Sequence, residues 1–196
     1  MEETGRVTVL ETERLILRKF TSDDAAFMLE LLNEPSFLHN IGDKGVKTVD
    51  EAVSYLQTGP MASYQRFGFG VYLVELKETG TAIGLCGLIK RDELPDVDVG
   101  FAFLPAYWSK GYASEAAAAV VGFGKREFGI QRIVAIARPD NTGSIRVLEK
   151  LRLRFDRLVD VFNDGSELSL FVPDESFSTD QPSLEISVGY RDRTLS

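Results

Sequence analysis

Cysteine and histidine are almost missing from this 196-residue chain, which has Cys86 and His39 and no others. A lone thiol excludes an intrachain disulfide, and its place in an apolar run predicts buried filler. One thiol and one distant imidazole do not make a zinc site, so no metal is expected. Long apolar runs are missing too. No stretch of 18 apolar residues occurs and the N-terminus has no apolar signal core. The expectation is a cytoplasmic protein with no membrane partner. Basic charge is short: 22 Lys and Arg stand against 30 Asp and Glu, a formal net charge of -8. A phosphate backbone calls for a basic face, which argues against nucleic acid as the main partner. The acidic balance suits an amine-bearing partner or simple solubility equally well. No G-x-x-x-x-G-K-[ST] is present, and Leu73 stands where Gly68 and Gly70 would need a third glycine for a dinucleotide fingerprint.

What is present describes one globular domain. Hydrophobic residues make up 44% of the chain and charged residues 27%, enough apolar content and length for a full core. "RLILRK" at 14–19 alternates as a strand does. Thr21 with Asp24, and Thr48 with Glu51, have the spacing of capping boxes and predict two helices, the second interrupted at Gly59-Pro60. Residues 69–76 and 81–90 flank "KETG", a hairpin turn. Residues 97–104 form a further strand, and a helix over about 113–128 ends at Gly129. "QRIVAIA" at 131–137 is apolar throughout, as a strand covered on both faces would be. A helix over 141–151 follows, and then "RLVDVF" and "ELSLFV" flank the hairpin signal Asn163-Asp164-Gly165. The order β-α-α-β-β-β-α-β-α-β-β predicts a mixed α/β domain over residues 1–172. Residues 173–196, with two prolines and five acids against two arginines, predict an acidic tail with one weak strand at 184–190.

The stretch "AYWSKGYASEA" at 106–116 joins a strand to a helix. A helix N-terminus leaves about four N–H groups without partners and carries roughly half a positive charge. Gly111 permits close backbone approach, Ala113 keeps the first turn uncluttered, and Lys110 and Ser114 add a charge and a hydroxyl. These features suit an anion site, a pyrophosphate above all, and they suit an ordinary strand-to-helix turn. The residues alone leave both open. "DNTGS" at 140–144 likewise suits a helix cap or a second contact point.

The segment resembles the acetyl-CoA loop of the GNAT acyltransferase superfamily, whose pattern is [Q/R]-x-x-G-x-[G/A]. Gly111 and Ala113 match it. Trp108 stands in the Gln/Arg position, a departure shared by "YWGKGYATEA"-type members of the Rim-like branch, and Ser109 replaces a glycine usual there. "ETERLILR", "GVKTVDEA", "AIGLCGLIKRD", "DVGFAFLP" and "RPDNTGSIRVLEKL" resemble the same branch in the same order, covering about residues 10–172. The resemblance implies a mixed sheet of about seven strands flanked by about four helices, in which the strands at 97–104 and 131–137 run parallel and then splay. It implies acetyl-CoA as cosubstrate. The backbone of Phe101, Ala102 and Phe103 would pair with the pantetheine arm, and Ser109, Lys110, Gly111, Tyr112, Ala113 and Ser114 would hold the pyrophosphate. Asn141 would contact the arm, and Ser144 would lie near the sulfur.

The reaction so implied is acetyl transfer to a primary amine, by attack on the thioester in a ternary complex. A lysine amine with pKa about 10.4 spends about 4.6 kcal/mol becoming neutral at pH 7, whereas an α-amine near 7.7–8.0 spends only about 1 kcal/mol. The expected acceptor is a protein N-terminal α-amine; a polyamine, an antibiotic or another small amine is the alternative, and a non-catalytic acyl-CoA-binding module is a second. Asp98, before the Val-Gly of its strand, is the candidate base. The family's usual tyrosine acid is replaced by Leu148, a glutamate used by some relatives is Ile136, and Arg152-Leu153 replace a Gly-Phe pair. A monomer or a homodimer is expected.

Overall fold

The computed structural model describes residues 6–176. Eight strands form one sheet: β1 (Thr8–Glu11), β2 (Leu15–Arg18), β3 (Val71–Leu76), β4 (Ala82–Ile89), β5 (Val97–Phe103), β6 (Ile133–Ala137), β7 (Leu153–Val159) and β8 (Leu168–Pro173). Their spatial order is β1-β2-β3-β4-β5-β6-β8-β7. Every neighbouring pair is antiparallel except β5 with β6, which run parallel. That parallel pairing holds only at Val97 with Ile133 and Asp98 with Val134; beyond Asp98 the two strands part. The expected splay is therefore in place, at the ends that lead into the loop at 104–111.

Six helices cover the sheet: α1 (Ala25–Asn33), α2 (Pro35–Asn40), α3 (Val49–Leu56), α4 (Ala62–Phe67), α5 (Tyr112–Phe128) and α6 (Thr142–Lys150). Strand residues alternate between two cores, as a period of two requires. Tyr72, Val74, Cys86, Val99 and Phe103 point to the core shared with α5 and α6, where Ala116, Ala117, Val120 and Leu148 are buried. Leu73 joins the other core, built on Met28, Leu31, Leu32, Ala52 and Leu56 of α1 and α3, with Leu85 and Ala102 packed against it. The alanines of α5 let its axis come close to the sheet. At Gly124 the approach is tighter still, because a Cβ there would lie 2.5 Å from a Leu88 methyl. Cys86 is buried in the same core, and burial pushes its thiol pKa well up, which fits the expected filler role.

Both capping boxes form, with Asp24 accepting from Thr21 N–H at 2.8 Å and Glu51 from Thr48 N–H at 2.9 Å. The interruption expected at Gly59-Pro60 is a π-helical turn over Gln57–Met61 between α3 and α4, at the point where proline lacks the N–H an α-helical bond needs. Two expectations are corrected. The strand before Asn163 ends at Val159, and the connection is a longer loop closed by the Asp160 carboxylate, which accepts from the N–H groups of Asp164 and Gly165. Strand β1 and helix α2 are additional elements; each is short, four and six residues, and has too few positions for a periodic signal. At the other end β8 runs through Pro173, and Asp174 N–H donates to the Arg152 carbonyl at 3.0 Å. The weak strand expected at 184–190 lies outside the described residues.

Candidate active site

Strand β5 leaves the sheet at Phe103, turns once through Pro105–Tyr107, and enters α5 at Tyr112. Gly111 stands at the N-cap with φ of +84°, and Ser109 has φ of +60°. Two left-handed residues so close together turn the intervening N–H groups toward one side, as in anion-binding nests. Among the described residues no close hydrogen bond runs from the main-chain N–H groups of Ser109, Gly111, Tyr112, Ala113 or Ser114 to another protein group; the first N–H of α5 with such a partner is that of Glu115, which donates to Gly111 O at 3.0 Å. A run of main-chain donors is thus available at the entrance to α5. Trp108, in the family's Gln/Arg position, donates from its indole Nε1 to Phe103 O at 2.7 Å and stays 48% exposed. It ties the loop back to the end of β5.

The register of β5 decides which backbone groups face the gap. Leu104 N–H donates to Ile83 O at 3.0 Å while Phe103 lies opposite Gly84. Phe103 is therefore in a non-hydrogen-bonded pair, and so is every second residue back along the strand. The N–H and C=O groups of Phe101 and Phe103 point away from β4, and of these four groups the Phe103 C=O is already taken by the Trp108 indole. Those of Ala102, opposite Leu85, are turned to β4. Of the three residues expected to pair with an extended ligand, Phe101 and Phe103 present their backbones and Ala102 does not. Asp98 occupies the residue where β5 and β6 part, on the same face as Ala102. It is 1% exposed and receives Arg91 Nε at 2.9 Å and a second guanidinium nitrogen at 3.4 Å. Burial pushes its pKa up and Arg91 only partly opposes this.

These features, an unpartnered N–H turn beyond a splayed parallel pair, match a known family. Residues 14–154 match the model of the acetyltransferase (GNAT) domain. The chain belongs to the GNAT acetyltransferase family. It is 30% identical over 145 residues to the uncharacterized N-acetyltransferase YoaA of Bacillus subtilis, covering 73% of this chain and 81% of YoaA. A GNAT-family acetyltransferase from Bacillus anthracis superposes with a TM-score of 0.70 at 27% identity, over 85% of this chain and 98% of that one. The RimL ribosomal L7/L12 alpha-N-protein acetyltransferase in complex with coenzyme A shares the fold with a TM-score of 0.72 at 16% identity, over 85% of this chain and 96% of that one. The protein is thus an acetyl-CoA-dependent N-acetyltransferase. No helix among its described residues is long and apolar enough to cross a membrane.

In this GNAT chain α6 follows β6 and packs against α5, β6 and β7. Asn141 is its N-cap, and its side-chain oxygen accepts from Ser144 N–H at 3.0 Å. The capping role is therefore realised, and it engages the oxygen but not the amide nitrogen. Ser144 is half-buried on the first turn. Leu148, one turn on, is 1% exposed and sits in the main core, so the face it shares with Ser144 closes against apolar side chains at that depth. His39 on α2 approaches Asp140 at 3.3 Å, and Arg138 also binds Asp140 at 3.1 Å. Helix α2 is thereby joined to the loop that carries Asn141. The sequence pattern did not single out Thr12, Arg14 or Glu115. They converge beside the N–H turn, and a contact between residues about 100 apart leaves no trace in local spacing.

Proposed function

We propose that this enzyme acetylates a protein N-terminal α-amine by direct attack on the acetyl-CoA thioester in a ternary complex. The N–H groups of Ser109, Lys110, Gly111, Tyr112, Ala113 and Ser114 receive the pyrophosphate, and the backbones of Phe101 and Phe103 guide the arm back along β5. From Phe103 to Asp98 a strand rises about 17 Å at 3.3–3.4 Å per residue, enough to lead an extended arm to the point where β5 and β6 part. The amine arrives from the α1–α3 side, the side Asp98 faces. Its nitrogen attacks the carbonyl carbon, the C–S bond breaks, the amine proton leaves to Asp98, and Ser144 Oγ donates toward the departing sulfur. The RimL enzyme of the same fold is an α-N-protein acetyltransferase, which is consistent with this acceptor.

The single observation that carries the α-amine reading is the state of Asp98. It is the carboxylate at the parting of the strands, and Arg91 holds both its oxygens. Burial raises its pKa while the guanidinium opposes the rise, so it suits collecting a proton from an amine that is already partly neutral. A lysine side chain would need roughly 3.4 pKa units of help, or about 4.6 kcal/mol. The test is a panel of acceptors with acetyl-CoA: a peptide with a free N-terminus, the same peptide blocked there but carrying a lysine, and spermidine. The free N-terminus should give the highest kcat/KM by at least tenfold, and Asp98→Asn should lower kcat and remove the acid limb of its pH profile. Preference for the blocked lysine peptide or for spermidine would overturn the acceptor, and an unchanged pH profile would remove Asp98 from the mechanism.

A further inference from the structure

We infer that Arg14 is the positioning residue of the pyrophosphate loop, holding the Lys110–Gly111 peptide so that its N–H faces the cofactor. The inference rests on the acetyl-CoA reading of that loop. Arg14 lies in the β1–β2 turn, just before β2 and far from the loop in sequence, and its guanidinium reaches the loop. One terminal nitrogen donates to Lys110 O at 3.0 Å, and the plane lies over the Tyr112 ring with 4.6 Å to its centroid. The other terminal nitrogen is 3.2 Å from where a Cβ on Gly111 would be. The peptide bonds of the described residues are all trans, and in a trans peptide the C=O and N–H point in opposite directions. Fixing Lys110 O against Arg14 therefore turns Gly111 N–H to the side away from the guanidinium.

The same side chain removes an obstacle. Glu115 sits in the first turn of α5, where a free carboxylate would repel a phosphate. Both its oxygens are occupied. Oε1 accepts from Thr12 Oγ1 at 2.5 Å and from Arg14 N–H at 3.0 Å; Oε2 takes Arg14 Nε at 2.7 Å and a terminal nitrogen at 2.6 Å. Thr12 is itself fixed, because Leu15 N–H donates to its hydroxyl at 3.0 Å. Burial disfavours the Glu115 charge, but the hydrogen bonds from Thr12 and Arg14 outweigh it and hold the carboxyl below its usual value. The β1–β2 turn thus supplies one planar cation that neutralises Glu115, orients a peptide, and stacks on the residue opening α5. Arginine's fork can do all three at once; lysine, a point charge on a flexible stem, cannot. Every contact is to the protein, so the role is positioning rather than catalytic.

The experiment compares two acetyl donors, acetyl-CoA and acetyl-pantetheine, which lacks the pyrophosphate, with wild type, Arg14→Ala and Arg14→Lys, alongside calorimetric titration of coenzyme A. Wild type should bind coenzyme A. Arg14→Ala should weaken that binding at least tenfold and lower kcat/KM for acetyl-CoA similarly, mainly through KM, while kcat/KM for acetyl-pantetheine stays within about threefold. Arg14→Lys should recover only part of the loss. Should Arg14→Ala not fold, Arg14→Lys carries the same comparison, with a selective loss on acetyl-CoA expected. Equal losses on both donors would reduce Arg14 to a structural latch and overturn the inference, as would coenzyme A binding at wild-type strength in either folded variant. Wild type failing to bind coenzyme A would instead sink the cofactor reading, and this inference with it.

Discussion

Gly111 shows how much of the site rests on one residue. Its φ of +84° lies in the region that favours glycine, and any Cβ there would meet Arg14 at 3.2 Å. A side chain would cost about 1–2 kcal/mol in backbone strain alone and would also press on the guanidinium that orients the loop. Gly111→Val should therefore lower coenzyme A affinity at least tenfold, about 1.4 kcal/mol, read by calorimetry on protein whose fold is checked by circular dichroism. Normal affinity in a folded variant would show that the loop does not carry the phosphates. Gly111 and Ala113 were legible through the family pattern, since a glycine three residues after the Trp108 position is a local signal that the resemblance turns into an assignment. Arg14 was not, because its meaning lies in what the chain brings beside it nearly one hundred residues later.

At the scale of the element, α6 separates two roles that one helical face seemed to share. Positions 144 and 148 are four apart and so lie over one another. Ser144 is half-buried on the first turn of α6, while Leu148 is closed into the core with the side chains of α5 and the sheet. A tyrosine restored at 148 would not simply present a phenol to the gap. Leu148→Tyr should overpack the core and destabilise the fold by about 1–3 kcal/mol, measured by urea unfolding. Ser144→Ala should leave stability nearly unchanged, because its N–H and not its hydroxyl completes the Asn141 cap, and should lower kcat about 10- to 100-fold if the hydroxyl serves the leaving sulfur. Wild-type kcat at saturating acceptor would strike Ser144 from the mechanism. The start of α6 was readable from "DNTGS"; how deep each of its positions sits was not, since depth is set by the partner layer.

For the molecule as a whole, two buried carboxylates give stability opposite pH dependences. Arg18, Asp24 and Glu75 form a buried cluster joining β2, β3 and the entrance to α1, with Arg18 nitrogens at 2.7 and 2.8 Å from Asp24 and at 2.8 Å from Glu75. Burial opposes the Asp24 charge, but hydrogen bonds from Arg18 and Thr21 outweigh it, and its pKa falls below the ordinary 3.8. A lowered pKa contributes stability that is present above the unfolded value and is lost as pH falls through the folded one. Asp98 is raised, so its contribution is present below 3.8 and is lost as pH climbs through its folded value. Asp24→Asn should thus cost about 3 kcal/mol at neutral pH, as breaking a buried pair does, and should flatten the fall in melting temperature below pH 4. Asp98→Asn should flatten the profile above pH 4 instead. Thermal scans from pH 3 to 8 check both, and a parallel shift of either curve would deny that carboxylate its assigned sign. The amino-acid sequence by itself determined most of the element order, both capping boxes and the loop between strand and helix, because periodicity, caps and glycine placement act over a few neighbouring residues; the parallel pair came from the family resemblance. Only the tertiary structure decided that Pro60 rides a π turn, that Ala102 faces β4, that Leu148 lies in the core and that Asp98 is tied to Arg91. Each of these depends on register or on a layer packed from a distant part of the chain, and no local pattern encodes it.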